Sequence, residues 1–280
     1  MSVCAKVSKH LRVAGLAFGL LTGPVLGAPE RVVSINLCTD QLAMMLAAPG
    51  QLVSVSMMAQ EVESSAMAIE ARAWPTNSGG AEAVFLLRPD LVLAGQYSTR
   101  AAVDMLRRLG VRVVQFAPEA SFQDARDNIR KMGQVLGQQA KAEEMIARFN
   151  RDLARMIALG KRPVRAALYA ANGYSAGAGT LATEIMAAAG MINIAPSAGL
   201  SAGGTLPLER LVLAQPDVVI RAARYGGTSR AEEILDHPAF RALPTDADAV
   251  TGPEWVCGTP KLVDAVAAMV HMRNKIVIHQ

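Results

Sequence analysis

Aromatic residues, cysteine and histidine are scarce in this 280-residue chain: aromatics make up 4%, with three cysteines and four histidines. So few cysteines exclude a small disulfide-stapled scaffold. With 51% apolar residues there is mass for one large core or two medium ones, which also excludes disorder and collagen. Past the N-terminal segment only His237, His271 and His279 remain. None belongs to a His/Asp/Glu cluster with ligand spacing, so a zinc or manganese site built from side chains is not expected. An excess of one charge sign is missing too. The formal net charge is +4, but Lys6, Lys9 and Arg12 stand in the first 28 residues without any acid, and the rest carries 25 basic against 24 acidic residues. No basic stripe is left to follow a phosphate backbone, which argues against a nucleic-acid partner.

Long apolar runs are confined to the start. Lys6, Lys9, His10 and Arg12 precede an apolar stretch from Val13 to Leu21, and Val25, Gly27 and Ala28 supply small residues for cleavage. This pattern predicts a secretory signal over residues 1–28. Its apolar part falls short of the roughly 20 residues a bilayer span needs, and no cysteine at the cleavage point offers a lipid anchor. The mature protein is expected to be exported and soluble. Cys4 leaves with the signal. Cys38 and Cys257 could pair in an oxidising compartment or stay as two buried thiols, and the sequence leaves both open.

Short Val/Ile/Leu-rich runs alternate with helical patterns. Strands are expected at Val32–Ile35, Leu52–Val55, Leu91–Ala94 and Val111–Phe116, with helices at Asp40–Ala47, Ala81–Leu87 and Arg100–Leu109, the last closed by Gly110. The style repeats with strands at Val164–Ala170 and Val218–Arg221 and helices at Leu181–Ala189 and Leu208–Ala214. Residues after 228 read as mostly helical. This alternation predicts an α/β protein of two lobes, each a mainly parallel sheet flanked by helices. Between them, Ser121–Leu159 holds no proline and no strand-like run. Met145, Ile146, Phe149, Leu153, Met156 and Ile157 recur at spacings of three and four among charged residues, the mark of an amphipathic helix with one buried stripe. The organisation expected is a signal at 1–28, an N-terminal lobe at 29–138, one long connecting helix at 139–162 and a C-terminal lobe at 163–280.

A pseudo-repeat ties the halves together. Glu82-Ala-Val-Phe-Leu-Leu-Arg-Pro89-Asp90-Leu-Val-Leu parallels Glu209-Arg-Leu-Val-Leu-Ala-Gln-Pro216-Asp217-Val-Val-Ile. In each, Glu opens a short apolar helix, Pro-Asp breaks it and a buried strand follows.

With these pieces in order, the chain resembles the periplasmic substrate-binding proteins of ABC importers for ferric siderophores and vitamin B12, the class with a helical backbone between lobes. Further matching pieces are Arg31-Val-Val-Ser-Ile-Asn-Leu, Leu109-Gly-Val-Arg-Val-Val, Ala188-Ala-Gly-Met-Ile-Asn and His237-Pro-Ala-Phe-Arg-Ala-Leu. The resemblance implies a receptor that captures a metal chelate, a ferric siderophore or cobalamin, and hands it to an ABC permease in the inner membrane, acting as a monomer in the periplasm with no cofactor of its own. It also implies that Glu82 and Glu209 dock onto permease arginines. Met191, where the family often has a second glycine, and Cys38 depart from its pattern.

In open α/β sheets ligands bind beyond the carboxyl ends of the strands. All four tyrosines, Tyr97, Tyr169, Tyr174 and Tyr225, fall in or after such ends, whereas the six Phe residues avoid them. A ring with a polar tip suits a wet pocket. Arg221 and Arg224 flank one loop and suit carboxylate or phosphate oxygens. Asn36, Cys38 and Thr39 stand in the first loop, and Trp255 in a late one with Cys257. The ligand-binding set expected is Asn36, Cys38, Thr39, Tyr97, Tyr174, Arg221, Arg224, Tyr225 and Trp255. No catalytic residue is needed. The alternative is a serine hydrolase, because Gly173-Tyr-Ser175-Ala-Gly177 follows a strand and precedes a helix as a nucleophile elbow would, although the Gly-rich continuation suits a loop better.

Overall fold

The computed structural model describes residues 27–157, 163–224, 229–244 and 250–279, besides Met1. The signal reading therefore lies almost wholly outside the described residues, as does the end of the expected connecting helix.

Two parallel sheets form where the apolar runs were read. In the first half β1 (Val32–Ser34), β2 (Leu52–Ser56), β3 (Thr76–Asn77), β4 (Leu91–Gly95) and β5 (Arg112–Phe116) stand in the order β3-β2-β1-β4-β5. Helices α1 (Leu37–Leu46), α2 (Ala81–Leu86) and α3 (Arg100–Arg108) lie between them in sequence. In the second half β6 (Val164–Tyr169), β8 (Met191–Asn193), β10 (Val218–Ala222) and β11 (Val250–Thr251) stand in the order β11-β10-β6-β8, again all parallel. Short strands β7 (Tyr174–Ser175) and β9 (Gly204–Thr205) pair antiparallel beside them. Continuous burial along β1 and β4 is what a sheet covered on both faces requires.

The described residues after 228 are mostly helical, as read, with the two-residue strand β11 as an addition that the sequence did not announce. Two residues leave no periodicity to read, and pairing with β10 alone makes them a strand. The remainder is a 3-10 segment at Arg230–Asp236, helix α8 (Pro238–Arg241) and the long α9 (Leu262–His279). Helices α6 (Leu181–Ala188) and α7 (Leu208–Ala214) sit as expected.

The helical segment between the sheets is a hairpin. Helix α4 (Phe122–Leu136) starts at the Ser121 cap, whose hydroxyl accepts from Asp124 N–H at 3.1 Å, and stops at Gly137 with φ +73. Helix α5 (Gln139–Met156) runs back along it. Each helix lies in both hydrophobic cores. Phe122 and Ala125 of α4, with Phe149 and Leu153 of α5, pack in the core of the second sheet. Ile129, Met132 and Leu136, with Ala142, Met145 and Ile146, pack in the core of the first. Gly133 lets the pair close up, because a Cβ there would strike the methyl of Ala142. At ~1.5–3 kcal/mol for each large side chain buried, the hairpin is anchored at both ends and acts as a strut.

Candidate functional site

The strand order of the first sheet reverses between β1 and β4, so the loops that follow them diverge and leave a crevice at the carboxyl edge. Asn36 follows β1 and Tyr97 follows β4, and these two residues line both cavities found there. One is a groove of about 400 Å³ toward Met57, Met58, Asn77 and Thr99. The other, about 130 Å³, runs toward Cys38, Thr39, Phe116, Glu119 and Val256. Four residues of the expected set thus meet in one place: Asn36, Cys38, Thr39 and Tyr97.

Local chemistry explains their positions. Asn36 caps α1, its side-chain oxygen accepting from Cys38 N–H at 3.1 Å and Thr39 N–H at 3.4 Å. That cap starts α1 three residues earlier than the sequence suggests. Gly95 lets the Asn36 amide pack against β4, since a Cβ there would collide with it. Thr39 is buried and its hydroxyl is 2.9 Å from the Asn36 carbonyl and 2.8 Å from Ser34 Oγ, so it supports the loop. Tyr97 is 83% exposed and lines both cavities.

Sequence reading missed Phe116, which ends β5 and lines the smaller cavity, contrary to the expectation that phenylalanines avoid these loops. The strand-end rule that picked Tyr97 applies equally to it. Glu119, Val256, Met57 and Met58 carried no local signal.

The second half contributes differently. Tyr169 is a core residue, 1% exposed and stacked on Phe240 with ring centroids 5.4 Å apart, and burial pushes its phenol pKa up. The expectation that all four tyrosines face a wet pocket is therefore corrected. Tyr174 is exposed on β7, with its hydroxyl against Gly203. Arg224 is paired with Asp236 at 3.1 Å, a carboxylate that Arg241 shares at 3.2 Å. Arg221, near the end of β10, and Trp255 each keep a buried side-chain N–H (Nε and Nε1) without a hydrogen-bond partner. None of these four lines the two cavities. Tyr225 lies outside the described residues.

Ser175 is no nucleophile elbow. It sits in the two-residue strand β7 at 0% exposure, with its hydroxyl buried and unpartnered. Gly177 is explained by packing, because a Cβ would run into the Ala202 carbonyl. His237, a conceivable triad partner, spends Nδ1 accepting from Ala239 N–H at 3.1 Å as the cap of α8.

Beneath the crevice, Asp40 is fully buried in α1. Its carboxylate accepts from Ser56 N–H at 3.1 Å and from Ser56 Oγ at 2.5 Å. Burial drives its pKa up to about 6, against the pull of the Ser34 and Ser56 donors. An unfolded Asp releases its proton near 3.8, so this group favours the fold most below pH ~4 and loses that contribution as pH rises through about 6. The stability gap between wild type and Asp40→Asn is expected to shift by about 2.4 kcal/mol between pH 4 and pH 7. Urea titrations of both proteins across that range check it, and a constant gap refutes it.

Away from the crevice, the pseudo-repeat is one structure built twice. Glu82 opens α2 and Glu209 opens α7, both exposed and one in each half. Arg31 donates to the carbonyls of Leu87 (2.9 Å) and Arg88 (3.2 Å) at the end of α2, and its backbone N–H donates to Asp90 (3.1 Å). Arg165 repeats this on Ala214 (2.7 Å) and Gln215 (3.1 Å), with Asp217 accepting its N–H at 2.8 Å. Arg88 and Gln215 both adopt left-handed backbone, φ +49 and +44, a conformation that lasts in non-glycine residues where surrounding bonds enforce it. The clamp also places a cation on the negative end of each helix. Exposed apolar pairs follow each Glu by three and four residues: Phe85 and Leu86, then Val212 and Leu213.

Comparison with known proteins agrees with this architecture. The chain is 27% identical over 264 residues to the cobalamin-binding protein of Halobacterium salinarum, covering 89% of this chain and 71% of that one. Its fold matches the periplasmic heme-binding protein RhuT of Roseiflexus sp. RS-1 with a TM-score of 0.70 at 23% identity, over 88% of this chain and 99% of that one. It likewise matches the periplasmic vitamin B12 binding protein BtuF of Vibrio cholerae, with a TM-score of 0.65 at 18% identity over 89% and 98%. The family model described as periplasmic binding protein matches residues 32–247, and the chain accordingly belongs to the periplasmic binding protein family.

Proposed function

We propose that the mature chain is the exported receptor of an ABC importer, holding a metal chelate between its two halves and delivering it to the membrane permease. The observation that carries this reading is the crevice at the switch point of the first sheet, to whose smaller cavity the second half contributes Val256, with the α4–α5 hairpin packed in the cores of both halves. In this reading α4 joins the connector, so the N-terminal lobe ends before Phe122 rather than at residue 138 as expected from sequence. Binding and release need no covalent chemistry. No helix among the described residues is long and apolar enough to cross a membrane, and among them no group of three or more His, Cys, Asp or Glu side chains is placed to hold a bare metal ion.

The lining favours a chelate with a broad apolar body, a tetrapyrrole such as cobalamin or heme, over a ferric siderophore. Met57, Met58, Tyr97, Phe116 and Val256 offer apolar surface, while Arg224, on which an anionic siderophore would depend, is engaged by Asp236. Relatives are named for cobalamin or heme, and one structural neighbour for Fe3+-hydroxamate transport. Residues of the expected set outside the two cavities, Tyr174, Arg221 and Trp255, would meet the far side of the cargo as the halves approach. The unpartnered N–H groups of Arg221 and Trp255 have hydrogen bonds to give. Glu82 and Glu209 with their apolar neighbours form two equivalent pads, suited to a two-fold symmetric permease that presents a basic group beside an apolar hollow at each.

Both tetrapyrroles are coloured, so absorbance titration of the purified mature protein tests the reading. Cyanocobalamin or hemin is expected to bind with a Kd of about 1 μM or tighter, and Tyr97→Ala to weaken it about tenfold. A ferric hydroxamate binding in their place would restore the siderophore reading. Failure of all three at about 100 μM would sink the receptor assignment.

A further inference from the structure

Cys38 and Cys257 are joined in a disulfide with Cα atoms 5.1 Å apart, across 219 residues of sequence. This settles what the sequence left open, and the bond's position has a consequence for the cleft. Cys38 belongs to the first turn of α1 in the first half. Cys257 lies in the segment between β11 and α9 of the second half. The bond thus links the two halves directly at the edge of the smaller cavity, where Cys38 and Val256 both form wall.

Neighbouring contacts converge on the same segment. Gln41 Nε2 approaches Cys257 Sγ at 3.7 Å, and Gly258 N–H donates to the Glu119 carboxylate at 3.3 Å. Glu119 is held in turn by Asn128 of α4 at 2.5 Å. A side chain on Gly258 would run into Glu119, so the backbone there is pressed against the first half just where the strut begins. By contrast, the larger groove by Met57, Met58 and Tyr97 is lined only by residues of the first half. The smaller cavity is thus bridged by both halves, whereas the larger groove has walls from the first half alone.

We propose that the Cys38–Cys257 bond makes residues 252–259 a fixed rail between the halves beside the smaller cavity, so that cargo enters and leaves by way of the larger groove, which the first half alone lines. In an oxidising compartment the bond does not break on the timescale of binding, whereas the Glu119–Gly258 contact alone would open and reform. The rail also keeps Val256 in place as the one wall residue that the second half gives to the smaller cavity. The rail rests on observed contacts alone, and its consequence for cargo rests on the receptor reading.

The test compares amide hydrogen exchange in the oxidised mature protein, in the Cys38→Ser/Cys257→Ser double variant, in Glu119→Gln, and in wild type reduced with a phosphine. In that reduction the S–S bond breaks, each sulfur takes a proton from water, and the phosphine takes the oxygen. Without the bond, residues 37–41 and 252–259 are expected to exchange at least about tenfold faster while the central strands β1, β4, β6 and β10 keep their protection. Bound cyanocobalamin or hemin should dissociate at least about tenfold faster. Glu119→Gln, with the bond intact, should stay within about twofold of wild type in exchange. Should the double variant fail to fold, the reduced protein at low temperature carries the test. The proposal is overturned if exchange does not change, if it rises uniformly along the chain, if Glu119→Gln loosens the segment as much, or if a bound probe leaves at an unchanged rate. If neither probe binds, exchange still decides the rail, and the tetrapyrrole reading is what fails.

Discussion

Transport by Glu82→Ala/Glu209→Ala is expected to fall to background while affinity for the chelate stays within about twofold of wild type. Both carboxylates are exposed and neither lines the cavities of the first half. Removing them strips charge from the proposed docking face without touching the two cavities. Truncating one member of a docked, hydrogen-bonded charge pair costs about 2–5 kcal/mol. Two such losses exceed about 4 kcal/mol, or roughly a thousandfold in docking affinity. Either single variant should retain measurable transport, because the second pad still engages. The clamps of Arg31 and Arg165 hold the two short helices in shape, so the alanines should not remodel them. Uptake assays in cells, with absorbance titration of the purified variants, make the measurement. A collapse of chelate affinity would assign the two glutamates to the pocket and end the docking idea.

Loss of the Cys38–Cys257 bond is expected to lower unfolding stability by about 3 kcal/mol, within the ~2–5 kcal/mol that native disulfides contribute. The bond closes a very long loop, across 219 residues of sequence, and so restricts the unfolded chain strongly. For a chain of this length that corresponds to a drop of roughly 6–12 °C in Tm. Calorimetry of the oxidised protein against the double serine variant checks it. An equal Tm would mean that the unfolded chain is no more confined with the bond than without it. This readout is global and stands apart from local exchange at residues 252–259.

Much of the architecture was legible in residue order. The apolar runs at Val32, Leu91, Val164 and Val218 are strands because fully buried strands must be apolar on both faces. Helix α7 was placed to the residue because proline stops a helix where it stands. The paired Glu-to-Pro spacing disclosed a two-fold pattern from residue order alone, and the arginine clamps that explain it emerge only in the fold. Tyr169 misled, because a tyrosine at a strand end satisfies the pocket rule equally well when it stacks on Phe240 in the dry core. Arg224 misled in another way: its partner, Asp236, lies 12 residues on, where no local pattern pairs them.

By itself the sequence determined the class of fold, the parallel strands and the paired glutamates of the repeat. These are set by local periodicity and by residues whose backbone chemistry allows few alternatives. The tertiary structure alone decided which strand ends face the crevice, that the connector is a hairpin rooted in both cores, and that Cys38 meets Cys257. Those facts depend on contacts between residues far apart in the chain, and such contacts are selected by packing of the whole rather than by any property of the segments they join.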